Sequence, residues 1–177
     1  MIRYIAFLRG INVSGQKIIK MEVLRHAFTG AGFEDVKTYI QSGNILFTTE
    51  DQDSNQLIIK IEDLIEKTFG FRTDVILRKQ ADIETVVNSS FFSNVLSDDG
   101  GKHYITFLKH AYTVPLIVPL FSKNRDVEII HHDNIALYSI STAYKGTYGF
   151  PNSFIEKLTG IPATTRNPNT LEKLLKL

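Results

Sequence analysis

The chain contains no cysteine. That single absence removes disulfides, thiolate nucleophiles, zinc fingers and thiolate-held iron–sulfur clusters together, and it fits a reducing compartment. Long apolar runs are missing too. The N-terminal one, Tyr4 to Leu8, spans five residues between Arg3 and Arg9, too short for a secretory h-region or a membrane span, and no later run approaches spanning length. A soluble, cytoplasmic protein with no membrane association is expected. Charge of one sign is missing as well: 20 Lys and Arg balance 19 Asp and Glu, so no global field draws the molecule toward nucleic acid or an anionic surface.

Several signatures of chemistry are also absent. There is no Walker pattern and no GxGxxG, so nucleotide binding by those two mechanisms has no support. No Ser-His-Asp order with elbow glycines occurs. The adjacent carboxylates Asp98 and Asp99 lie in a turn-rich stretch without an apolar wall to raise a pKa. His131 and His132 are strand neighbours that face opposite sides of a sheet, so with Asp133 they do not converge on a metal. No cofactor, metal site or general base is indicated, and an enzyme is not the favoured reading.

What is present is a globular composition, 43% hydrophobic in 177 residues, enough for one domain or two small ones. The N-terminal stretch organises the first half. Residues 2–8 read as a strand that stops at Arg9-Gly10. A loop punctuated by Gly10 and Gly15 follows, and apolar positions 21, 24, 27 and 28 then recur at helical spacing until Gly30 and Gly32. Val36–Ile40 and Ile45–Thr48 form a hairpin across Gln41-Ser42-Gly43-Asn44. Asp53 caps a helix whose stripe, Leu57, Ile58, Ile61, Leu64, Ile65 and Phe69, ends at Gly70. Residues 73–78 alternate as a fourth strand. The order βαββαβ through residue 79 is that of a ferredoxin-like plait.

The second half repeats the order in weaker form. A helix from Ala81 to about Ser90 and the loop Ser97–Gly101 lead to a strand over His103–Lys109. A short helix is expected over Pro115–Phe121. Strands Val127–His132 and Ile135–Ile140 pair across Asp133-Asn134, a helix covers Asn152–Leu158, and a short amphipathic helix over Pro168–Leu177 caps the core. V-K-T-Y-I-Q-S-G-N-I at 36–45 parallels V-E-I-I-H-H-D-N-I at 127–135. The fold class is therefore α+β, with two ferredoxin-like α/β-plait units, 1–79 and 80–177, built on mainly antiparallel sheets.

In a plait the first two strands point the same way, so the loops after them share one sheet edge. Arg9, Gly10, Asn12, Lys17, Lys20, Gln41, Ser42, Asn44 and Arg72 all fall on that edge, a set of cations and amides suited to an anion. The alternative is that glycines and Asn44 serve turn geometry while the cations are simply solvated. A second patch, Tyr138, Tyr144, Tyr148 and Phe150 with Lys145, resembles base-stacking surfaces in composition, but the RNP1 pattern is absent and packing is the expected role.

Three stretches together resemble one family: F-L-R-G-I-N-V-S-G-Q-K-I-I-K-M at 7–21, T-Y-I-Q-S-G-N-I-L-F at 38–47 and A-T-T-R-N-P-N-T-L at 163–171. In this combination and order the chain resembles the bacterial domain of unknown function 1697 family. The resemblance implies two α/β-plait subdomains and no assigned activity. It adds Thr165, Arg166 and Asn167 to the candidate site, and the same motif includes Asn169 and Thr170. Two positions depart from the pattern: Ser14 stands where glycine is usual, and Pro168 where an aromatic residue follows Arg-Asn. A Pro168 at the first helical position with Asn167 as N-cap would leave nothing lost. The expectation is a non-enzymatic protein that binds a small anionic or phosphate-bearing ligand, or a partner, at the Arg/Lys/Asn-lined edge. The alternatives are a nucleic-acid-binding module, which the balanced charge disfavours, and an enzyme acting on a phosphoryl or acyl group.

Overall fold

The computed structural model describes residues 1–13, 15–89 and 100–177. Ser14, the helix end at Ser90 and most of the Ser97–Gly101 loop lie outside the described residues. The chain divides into two compact units, Met1–Ile83 with Leu174–Leu177, and Glu84–Lys173.

In the first unit, β1 (Ile2–Leu8), β2 (Glu34–Tyr39), β3 (Asn44–Thr49) and β4 (Val75–Lys79) form one antiparallel sheet in the order β2-β3-β1-β4. Helices α1 (Met21–Gly30) and α2 (Ser54–Phe69) complete the plait. Strand alternation sends Tyr4, Ala6 and Leu8, with Ile45, Phe47, Val75 and Leu77, into one core with Leu24 and Phe28 of α1 and Leu57, Ile61 and Ile65 of α2. Each large buried side chain contributes about 1.5–3 kcal/mol. Phe28, Phe33 and Phe47 interlock at centroid distances of 4.7–5.5 Å. Helix α2 is closed at both ends as its sequence foretells. The Asp53 carboxylate accepts from Gln56 N–H at 2.9 Å, and Gly70, left-handed at φ 77°, donates to Glu66 O.

In the second unit, which α3 (Gln80–Val87) enters, β5 (Lys102–Leu108), β6 (Leu120–Phe121), β7 (Val127–His132), β8 (Leu137–Ser141) and β11 (Ala163–Arg166) form an antiparallel sheet ordered β11-β5-β8-β7-β6. A two-stranded hairpin, β9 (Ala143–Tyr144) and β10 (Thr147–Tyr148), precedes α4 (Pro151–Thr159), and α5 (Pro168–Leu175) follows β11. With β6 set aside, the order β11-β5-β8-β7 reproduces that of the first sheet.

Two expectations fail here. Residues 115–121 form no helix. Leu116, Val118 and Leu120 pack on the core while Ile117 is 88% exposed, a period of two, and the segment ends in β6. Pro115 and Pro119, four residues apart, explain this: in a helix the second ring would collide with the carbonyl of the first and remove a backbone donor. The strand β11, pairing with β5 from Ala163↔Leu108 to Arg166↔Ile105, was not foreseen, because A-T-T-R is too short to show a period. No helix among the described residues is long and apolar enough to cross a membrane.

Candidate functional site

The first-unit edge forms as topology demands. After β1, the chain turns through Gly10 at φ 66° and closes a small loop by Asn12 N–H→Lys17 O at 3.2 Å and Gln16 N–H→Val13 O at 3.0 Å. Asn12 is the tie. Its Oδ1 accepts from Ile19 N–H at 2.8 Å, and its Nδ2 donates to Ile19 O at 3.1 Å and to Gln41 O at 2.8 Å. The loop is thereby fastened to the β2–β3 turn. In that turn, Leu8 N–H donates to Gly43 O, and buried Asn44 donates to Ser42 Oγ at 2.6 Å and to Tyr39 O at 3.4 Å. Gly43 is obligatory: at φ 73° a Cβ there would sit 2.9 Å from both Ile11 Cδ1 and Leu8 Cβ.

The expected neighbours therefore meet, but their polar groups face one another. Lys17 Nζ donates to Arg72 O at 2.8 Å. Arg72 Nε donates to Glu66 Oε2 at 2.6 Å, with Asp63 at 3.3 Å, and the hydrogen bond to Glu66 holds the guanidinium pKa above its ordinary value. Arg9 lies 3.8 Å from Asp74, and its carbonyl accepts from Thr73 Oγ1. Lys20 occupies the N-cap position of α1 with its side chain exposed. The same loop and turn also expose aliphatic side chains: Val13, Ile18 and Ile40 are 59%, 65% and 58% exposed. Ile40 is held at φ 47° and Lys17 at 48°, conformations that side chains of these types rarely adopt.

Thr165, Arg166 and Asn167 belong to the second unit. Thr165 Oγ1 shares a hydrogen bond with Thr106 Oγ1 at 2.8 Å and donates to Asn152 Oδ1 at 3.0 Å, tying β5, β11 and α4 together. Arg166 donates through Nη1 to Thr164 Oγ1 and Thr165 O, and burial pushes its pKa down to about 10. Asn167 caps α5, its Oδ1 accepting from Thr170 N–H at 2.8 Å, and Pro168 takes the first helical position.

Beside this cap lies a groove of about 360 Å³ lined by Lys102, His103, Tyr104, Asn167, Pro168 and Asn169. Its origin is simple. Strand β11 leaves the sheet at Arg166, opposite Ile105, while β5 continues to Lys102. The first turn of α5 then forms a wall beyond the end of the pairing. Burial pushes the His103 pKa below its ordinary value, so the imidazole is neutral at pH 7. Of these residues only Asn167 was a candidate from sequence, with Pro168 and Asn169 noted as positions of the family motif. His103 and Tyr104 read as the start of a strand with Lys102 just before it, and only the pairing of β11 with β5 brings them to the cap.

The aromatic patch sorts into two. Tyr138 is core, its hydroxyl donating to Asp133 Oδ2 at 3.1 Å and its pKa raised by burial. Tyr144, Tyr148 and Phe150 are instead 43%, 37% and 56% exposed. Lys145 and Gly146, both at positive φ, make the two-residue turn between β9 and β10.

Comparison with known proteins adds two findings. The family model described as "Protein of unknown function (DUF1697)" matches residues 1–138. The solved structure of conserved bacterial protein SP0830 from Streptococcus pneumoniae is similar at 24% identity, with a TM-score of 0.68 over 99% of this chain and 97% of that one, which shows a shared fold. No curated protein matches.

Proposed function

The chain thus belongs to the DUF1697 family, and we propose that it is a non-enzymatic binding protein whose ligand is a small phosphate-bearing molecule held in the second-unit groove. The observation that carries this reading is the concavity at the end of β11. There Lys102, Asn167, Asn169 and the first turn of α5 line about 360 Å³ of space. Small ligands favour concave sites of this size with a few convergent polar groups. A lysine and a helix start favour negative charge. The first-unit edge has more cations, but Arg9 and Arg72 face Asp74, Asp63 and Glu66, and Lys17 is bonded to a carbonyl.

The test is titration of the full chain with inorganic phosphate and phosphate monoesters, followed by amide chemical shifts. Saturable shifts at Lys102, Asn167 and Asn169, abolished by Lys102→Ala in a folded variant, are expected. Binding that survives Lys102→Ala and disappears in Arg9→Ala would move the site to the first-unit edge, and no binding to any phosphate would end the reading.

The exposed trio Val13, Ile18 and Ile40 favours a second role for the first-unit edge, contact with a protein partner that sets an acidic group beside apolar residues. Peptides selected on the wild-type chain should be acidic and apolar, and should lose binding to Ile18→Asp. Peptides that bind this variant equally would discard the role.

A further inference from the structure

We infer that the groove ligand is a nucleoside phosphate, with its base stacked on the aromatic strip that borders the groove. This rests on the phosphate reading above and adds to it the chemical class of the ligand.

The strip is built from Tyr104, Tyr148 and Phe150. Lys102 and Tyr104, two of the groove-lining residues, alternate along β5 and so share one face of the sheet. The segment after β10 lies against that same pair. The Lys102 Nζ sits 3.9 Å from the Tyr148 ring centroid, and Phe150 meets Tyr104 edge to face at 5.6 Å and 88°. The groove and the rings are thus continuous through two shared residues.

The rings are presented rather than left over. Tyr148 OH donates to Gly100 O at 3.0 Å, which fixes the ring by its far end. Between the two rings, Gly149 passes so close to the sheet that a Cβ would lie 2.7 Å from Val127 Cγ2 and 2.8 Å from Asp126. Only glycine allows the strap this depth, and the depth sets where Tyr148 and Phe150 emerge. Phe150 nevertheless stays 56% exposed, whereas Phe107 and Phe154 of the same unit are buried or packed on the core. A large apolar ring held at the surface by a tightly seated backbone is matched by a flat partner.

A purine or pyrimidine supplies that partner, because stacking on an aromatic face needs no sequence-specific contact. The ammonium between rings and groove is placed for a phosphate, and the Asn167 and Asn169 amides offer both donors and acceptors to a base edge or ribose. A sugar phosphate would use the groove and leave the rings untouched. A long nucleic-acid strand would need a cationic track, and the chain's formal net charge of +1 provides none globally.

The experiment compares ribonucleoside monophosphates, a ribose phosphate, inorganic phosphate and a short single-stranded oligonucleotide, each titrated into the full chain by calorimetry and tyrosine fluorescence. The chain has no tryptophan, so its fluorescence comes from seven tyrosines, Tyr104 and Tyr148 of the strip among them. Monophosphates should bind at least ~10-fold more tightly than ribose phosphate. Phe150→Ala should erase that difference while leaving ribose phosphate binding and the circular dichroism spectrum unchanged. An oligonucleotide bound more tightly than the monophosphates, with the same dependence on Phe150, would overturn the nucleoside phosphate as ligand and give the site to a strand. Equal binding of nucleoside and ribose phosphates would overturn the inference and leave the phosphate reading standing. Absence of binding by every phosphate would overturn both.

Discussion

The edge of the first unit and the groove of the second carry the same kinds of residue, cations beside asparagines near a helix start, and use them in opposite ways. In the first unit Asn12 spends its whole side chain fastening the loop to Gln41 and Ile19, and Arg72 spends its guanidinium on Glu66 and Asp63. In the second, Asn167 gives one acceptor to α5 and still lines open space, and Lys102 lies over a ring beside that space. Residue type decides what bonds are available, but geometry decides whether they close on the protein or open to a ligand. The richer cluster of the two is the more self-contained.

Breaking the comparison starts with the tightest contact. Gly43→Ala forces a side chain into a left-handed conformation and onto Leu8 and Ile11, and should destabilise the chain by about 2–5 kcal/mol in chemical denaturation. A change under about 1 kcal/mol would mean that the edge is looser than its contacts imply. Asn12→Ala comes next. It orphans Ile19 N–H and two carbonyls at a position already at φ 54°, and about 2–3 kcal/mol of stability should be lost while phosphate binding persists. Loss of binding with unchanged stability would reverse the roles assigned to the two regions.

Asn167→Ala should have a smaller effect on folding, about 1 kcal/mol for the lost cap, but should also weaken phosphate binding, so that both observables move together. The smallest effect is on pH dependence. His103 has a depressed pKa in the folded state, so its neutral form stabilises the fold above the ordinary value of 6.5, and that contribution falls away as pH drops from there through the folded pKa. Wild type should lose more stability than His103→Gln between neutral and mildly acid pH. Parallel curves would show that His103 is not the group responsible.

The legible parts of the molecule are those in which neighbours in sequence decide the outcome. Strand β1, the α2 stripe with Asp53 and Gly70 at its ends, the Gln41–Asn44 turn and the Asn167 cap are all local matters of period, cap and turn chemistry. The segment 115–121 is extended rather than helical because of its two prolines and the packing of alternate residues. Tyr138 and Phe150 look alike in sequence, yet one is fully buried and the other exposed, since burial depends on which strand passes overhead.

By itself, then, the sequence determined the element order of the first unit, the plait class and the family, because hydrophobic period and local backbone chemistry act over a few residues. Tertiary structure alone decided where a groove forms. Pairing β11 with β5 brings residues more than sixty positions apart to the lip of one groove, and antiparallel neighbours are set by register and burial, which no local pattern records.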